Sequence, residues 1–144
     1  EEARRANRNF VQVYPKGWAR LQLLMRTNPP AARLYAFLAE HIDESCGAVV
    51  ASQELIADAL GVSRRTIIRQ LQYLAKNGAV VSIKVGVGVN AYALDPDEVW
   101  KAWDDKKDVA AFRTKTLVRP ADRANREVRR KLKLMIGEPE LDLE

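Results

Sequence analysis

Apolar positions along the chain change their spacing several times, and each change marks a predicted element. The opening stretch EEARRANRN, residues 1–9, has no such pattern and predicts a disordered arm. FVQVYP sets Phe10, Val11, Val13 and Tyr14 among polar positions and closes on Pro15, which predicts a short strand. GWARLQLLM then places Trp18, Leu21, Leu24 and Met25 at helical spacing. NPPAARLYAFLAEHIDESCG reads as a helix. Asn28 and two prolines start it, Leu34, Phe37, Leu38 and Ile42 form one face, and Gly47 stops it.

AVVA predicts a short strand leading to Ser52, an N-cap for QELIADAL, which ends at Gly61. Ser63 caps a second helix that runs to Asn77-Gly78, a left-handed exit. AVVSIKV and VNAYAL form a hairpin through Gly86-Val87-Gly88. Asp95 or Asp97 starts a helix holding Val99, Trp100 and Trp103, AFRTKTLV reads as a strand, and Ala121 to Ile136 as a basic helix. Helix, short strand, helix, tight turn, helix, hairpin is the order of a winged helix-turn-helix. The predicted class is α+β, mainly α, with an extra N-terminal strand and helix and C-terminal helices. Residues 10–118 form the winged helix domain, 119–137 the basic helix and 138–144 an acidic tail.

At 144 residues this is one domain's worth of chain, and 47% hydrophobic with 30% charged residues is globular rather than disordered. No apolar run is long enough to span a bilayer and no signal peptide opens the chain, so no membrane partner is expected. The first residue, Glu1, is not methionine, which suggests a fragment. One cysteine, Cys46, excludes an internal disulfide and fits the cytoplasm. With only His41 beside it, an ordinary zinc site is not expected.

The net charge of +5 is unevenly distributed. Residues 63–94 hold Arg64, Arg65, Arg69, Lys76 and Lys84 without an acid. Residues 119–137 hold seven Lys/Arg against Asp122 and Glu127, whereas 28–62 and the tail are acidic. Such segregation favours a face for a polyanion.

The helix from Arg64 to Asn77 gives that face its chemistry. At about 100° per residue, Ile67, Leu71 and Leu74 share a narrow arc. Opposite lie Arg65, Arg69, Gln72 and Lys76, flanked by Thr66, Ile68 and Tyr73. A solvated helix would mix Glu with Lys; this one carries cations, an amide, a hydroxyl and an aliphatic. Arginine can donate twice to guanine, glutamine can pair with adenine, and Ile68 can touch a thymine methyl. Ser63 and Arg64 stand at the helix N-terminus, a natural seat for phosphate, and Ser52 at the preceding one.

SQELIADALGVSRRTIIRQLQYLAKNGAV resembles the winged helix-turn-helix superfamily, with Ala57, Gly61, Ser63, Thr66, Arg69, Leu71, Leu74 and Gly78 in the expected places. FVQVYPKGWARL, the wing running into YALDPDEVWKAW, and AAFRTKTLV extend the resemblance to plasmid replication proteins of the RepL type, through Pro96 and Trp100 among others. That resemblance implies DNA binding at a plasmid origin or promoter. The long basic C-terminal helix departs from it.

Lys84 and Asn90 on the wing suggest a backbone or minor-groove contact; Val85, Val87 and Val89 suggest equally a packed hairpin or a protein contact. GVGVNA formally fits a dinucleotide fingerprint but precedes a strand and a turn, not a helix, so nucleotide binding is rejected. Trp18, Trp100 and Trp103 read as core or dimer interface rather than stacking platforms. His41 reads as an ordinary helix residue and Cys46 as buried or a bystander. Ala121, Ala124, Val128, Leu132 and Met135 make an a/d-like seam that suggests a homodimer, while Arg123, Arg126, Arg129 and Arg130 could hold phosphates.

The expected activity is sequence-specific binding of double-stranded DNA in plasmid replication or maintenance, in a bacterial cytoplasm at nucleoid or plasmid. A repressor on an operator needs the same face. A protein-interaction winged helix is the alternative of another class. No catalytic set assembles around one His and one Cys, so neither an enzyme, a cofactor nor a small-molecule substrate is expected.

Overall fold

Asn28 makes the first decision in the fold. Its backbone N–H closes one helix on the Leu24 carbonyl at 2.7 Å, and its side chain opens the next by accepting from the Ala31 N–H at 3.3 Å. Prolines at the first two positions of the second helix need no donor there. A computed structural model describes residues 11–43, 46–101 and 112. In order they form β1 (Gln12–Val13), α1 (Pro15–Thr27), α2 (Pro29–His41), β2 (Ala48–Ala51), α3 (Gln53–Leu60), α4 (Arg64–Lys76), β3 (Val80–Gly86), β4 (Val89–Leu94) and β5 (Val99–Trp100).

The predicted faces of α2 and α4 are the buried ones. Leu34, Leu38 and Ile42 meet Ile67, Leu71 and Leu74 in one core, with Ile56 from α3 and Tyr92 and Leu94 from the sheet. Phe37 is half-buried beside them. Full burial of each such aliphatic contributes about 1.5–3 kcal/mol. Strands β2, β4 and β3 lie antiparallel in that order, with Val49 opposite Tyr92 and Ile83 opposite Ala91. The predicted hairpin is therefore the outer part of a three-stranded wing.

Alternation gives this sheet two faces. One faces the helices. The other gathers Ala48, Ile83, Ala91 and Ala93, on which Val50, Val81, Val85 and Phe112 pack. Val85 of the wing is thus partly covered, whereas Val87 at the tip is fully exposed.

Several expectations are corrected. α2 ends at His41, not Gly47, because Ile42 turns extended and Asp43 takes over the backbone. The Asp43 Oδ1 accepts from the N–H groups of Cys46 and Ala48, both at 3.2 Å, and so closes a loop. Gly47 lies in that loop at φ 70°. Residues Val99 and Trp100 form a strand rather than a helix. Asp95 closes a single turn, its side chain accepting from Asp97 N–H at 2.9 Å and its carbonyl from the Glu98 and Val99 N–H groups. β5 then pairs antiparallel with β1, Val13 with Val99 and Gln12 with Trp100. Both β5 side chains are buried, and burial on either side of an extended chain wins over helical propensity.

The tryptophans divide. Trp100 is core, whereas Trp18 is 53% exposed and Met25, on the same face of α1, 57% exposed. Trp103 lies outside the described residues. Of the expected strand AFRTKTLV only Phe112 is described, and it is helical. The arm at 1–9, the basic helix from Ala121 to Ile136 and the acidic tail lie outside the described residues. The architecture is α+β: a winged helix-turn-helix extended at its N-terminus by β1 and α1.

Candidate nucleic-acid interface

The turn between α3 and α4 is made by two caps. Gly61, at φ 70°, ends α3 in the left-handed region that favours glycine. Two residues later, the Ser63 hydroxyl oxygen accepts from the Thr66 N–H at 3.1 Å and donates its proton to Thr66 Oγ1 at 3.0 Å. Ser63 is therefore engaged as a cap, and Thr66 retains an O–H to donate. Ser52 caps α3 in the same manner, accepting from the Leu55 N–H at 3.1 Å.

With Ile67, Leu71 and Leu74 fixed inward, α4 turns Arg64, Arg65, Arg69, Gln72 and Lys76 to solvent, without an acid among them. Ile68 and Tyr73 are half-buried at the edges of this face. Tyr73 leans to α1, where its hydroxyl donates to Thr27 Oγ1 at 3.2 Å. Its ring packs against the core, so it supports the face more than it extends it. The exit is the predicted one: Gly78 takes φ 76° and the Ala79 N–H donates to the Leu74 carbonyl at 2.9 Å.

Three predicted residues from separate elements meet at one place. Arg64 of α4 and Lys84 and Asn90 of the wing line a polar cavity of about 450 Å³, with Gln53 and Glu54 at the start of α3. Glu54 is the acid of this cavity. Asn90 Nδ2 donates to the Tyr92 hydroxyl at 3.4 Å. Arg123, Arg126, Arg129 and Arg130 lie outside the described residues.

A second set of residues was not anticipated. Glu98 is buried and holds α1 and α2 together. Its Oε2 accepts from Arg20 Nη2 at 3.0 Å and its Oε1 from the Tyr35 hydroxyl at 2.7 Å. Arg20 also donates through Nη1 to the Asn77 carbonyl at 3.0 Å and through Nη2 to the Gly78 carbonyl at 3.4 Å. These carbonyls are at the C-terminal end of α4, where a cation also complements the helix dipole. Burial, then the bond to Glu98, pushes the Tyr35 hydroxyl pKa far above its ordinary value. Sequence gave no hint of this, since Arg20 and Glu98 stand 78 positions apart.

Among the described residues no group of His, Cys, Asp and Glu is placed to hold a metal ion. Nor is any helix there long and apolar enough to cross a membrane. Cys46 is a buried free thiol that donates to Asp43 Oδ1 at 3.5 Å. GVGVNA is the tip and return strand of the wing, not a helix start.

Residues 28–80 match the family model of a helix-turn-helix domain. The match covers less than half of the chain and spans α2 to the start of β3. It supports double-stranded DNA as the partner of this face. No curated protein and no solved structure matches the chain significantly.

Proposed function

We propose that this protein binds double-stranded DNA sequence-specifically, inserting the N-terminal half of α4 into the major groove. The observation that carries the reading is the acid-free exposed face of Arg64, Arg65, Arg69, Gln72 and Lys76 on a helix anchored by three buried aliphatics. Arg65, Arg69 and Gln72 are the base-reading residues, with Thr66 and Ile68 beside them. Arg64, Lys84 and Asn90 converge where a phosphate strand would pass between helix and wing. The role is binding, not catalysis.

The biological setting we assign is plasmid replication or maintenance, on the RepL-like order of elements. The protein acts as a homodimer, because one recognition helix reads too few base pairs for high specificity. The candidate seam, Ala121 to Met135, lies outside the described residues. Truncation after Val118 tests it: sedimentation should show loss of dimer, and footprints should shrink to one half-site.

Selection of bound fragments from plasmid and chromosomal DNA tests the main reading. Enrichment of an origin is expected, and enrichment of promoters alone would replace replication by regulation. Affinity should also fall with salt, with a log–log slope of roughly −4.5 for about five phosphate contacts. A salt-independent interaction, or no enrichment, would overturn DNA binding in favour of a protein partner.

A further inference from the structure

The outward stripe of α4 carries charge that the rest of the described fold does not answer. Arg65, Arg69, Gln72 and Lys76 fall within about 60° of one another around the helix, and all four are exposed. Among the described residues none of these three cations stands in an ion pair. Arg65 and Arg69 are like charges one turn apart, an arrangement that opposes the helix slightly.

GEPELDLE holds the opposite charge in a regular pattern. Glu138, Glu140, Asp142 and Glu144 occupy every second position, with Pro139, Leu141 and Leu143 between them. Pro139 biases Glu138 toward extended backbone, and on an extended chain every second side chain points the same way. The four carboxylates then follow one another at about 6.6 Å. One turn of α4 sets Arg69 after Arg65, and Lys76 after Gln72, at about 6 Å. The two ladders keep near register over their whole lengths, about 20 Å for the acids and about 17 Å for the stripe. Reach is sufficient. Residues 113–137 separate Glu138 from Phe112, which packs on the outer face of the wing. Even wound fully as a helix they would span about 38 Å, nearly twice the length of α4. The basic residues of 119–137 are nearer in sequence but hold Asp122 and Glu127 among their own cations, whereas α4 holds no acid.

We propose that residues 138–144 dock as an extended strand along the outward stripe of α4 and compete there with DNA. The chain thus carries its own counter-ligand for the recognition helix. Such a competitor lowers affinity for every duplex by the same factor. It thereby keeps the helix off random DNA, while a specific site, with its added base contacts, retains affinity enough to displace it. The consequence rests on the DNA-binding reading, but docking itself can be followed without DNA.

The test uses the full chain and two full-length variants. The neutral variant carries Glu138→Gln, Glu140→Gln, Asp142→Asn and Glu144→Gln. The register variant carries Leu141→Asp, Asp142→Leu, Leu143→Glu and Glu144→Leu, which keeps composition and net charge but breaks the alternation. Without DNA, the side-chain Nε–H resonances of Arg65 and Arg69 should differ between the wild type and the neutral variant. That of Arg33, exposed on α2, should not. The register variant should resemble the neutral one, and at about 1 M salt, where the Debye length is about 3 Å, the differences should vanish. Affinity for a random duplex, read by fluorescence anisotropy at low salt, should rise roughly fivefold in the neutral variant, the scale of one or two exposed ion pairs. A selected site should gain by the same factor. Unmoved Arg65 and Arg69, or a register variant indistinguishable from the wild type, overturns the docking. Shifts confined to Arg123, Arg126, Arg129 and Arg130 mean that the acids answer the basic segment, and the proposal fails. It fails equally if the differences disappear on tenfold dilution, since the contact is then between molecules. Docking with unchanged DNA affinity overturns the competition. Docking in a chain that binds no DNA, with or without the acids, would refute the DNA reading alone.

Discussion

The guanidinium of Arg20 stands 3.0 Å from the carboxylate of Glu98, and the same guanidinium caps the end of α4 through Asn77 and Gly78. The pair is mostly out of water, with side-chain exposures of 20% and 7%. Removing one member of such a pair leaves the other charged and unpaired. Glu98→Ala should therefore cost about 3 kcal/mol, and Glu98→Gln, which keeps the shape and one of the two acceptor oxygens, less. Urea unfolding of the two variants checks this. Equal losses would mean that the charge, not the shape, holds the site.

Tyr35 donates to the same carboxylate, and its burial raises its pKa above the ordinary value of 10.0. Above pH 10 the unfolded chain releases this proton while the folded chain retains it. The stability contributed is thus present below that pH and is lost as pH rises toward the folded value. Unfolding free energy of the wild type should fall more steeply above pH 10 than that of Tyr35→Phe. Parallel curves would show that this hydroxyl is not part of the linkage.

The contrast between α4 and β5 shows what the sequence could and could not convey. Ile67, Leu71 and Leu74 repeat at helical spacing between a serine cap and a glycine exit, so local rules suffice and the outward arginines follow. DPDEVW offers the same local signals, an acidic start and apolar positions beyond it. Yet β1 lies beside it in space, and pairing with Val13 makes Val99 a strand. Trp18 shows a related limit: helical spacing identifies a stripe without saying what covers it. The link of Glu98 to Arg20 had no local signature, because an acid within an acidic stretch reads as solvated until the fold encloses it.

Within α4, adjacent residues should respond in opposite ways. Leu71 is 6% exposed in the core, and Leu71→Ala should cost about 2–5 kcal/mol through lost burial and a cavity. Gln70, next to it, has a buried Oε1 with no hydrogen-bond partner among the described residues. Gln70→Leu should hold stability level or raise it by about 1 kcal/mol, since an unmatched acceptor disappears. Thermal melts of both test the inward orientation of this helix. A wild-type melting temperature for Leu71→Ala would contradict it.

Gly47 meets two constraints at once. Its φ of 70° disfavours any side chain, and a Cβ would stand 2.6 Å from the Trp100 ring. Gly47→Ala should lose more than the about 1–2 kcal/mol of the backbone term alone. Gly61, at the same φ with open space around it, provides the control. Gly61→Ala should lose only that backbone term, and equal losses at the two positions would remove the steric role of Trp100.

The outward face of α4 makes the most direct functional prediction. Arg65 and Arg69 are exposed one turn apart, while the residues that hold the helix lie on its opposite side. Replacing either by alanine should leave the melting temperature unchanged and weaken binding to a selected site by about 1–3 kcal/mol, the range of one bidentate base contact. Specificity should relax at one base-pair position for each. Lys84→Ala should behave differently, because a phosphate contact carries no base information. It should weaken all sequences alike and lower the salt slope by about one. Gel-shift titrations against a library of single-base variants at two salt concentrations separate the two behaviours. If Arg65→Ala and Arg69→Ala lose affinity uniformly across that library, both arginines grip phosphates and base readout must lie elsewhere on the helix.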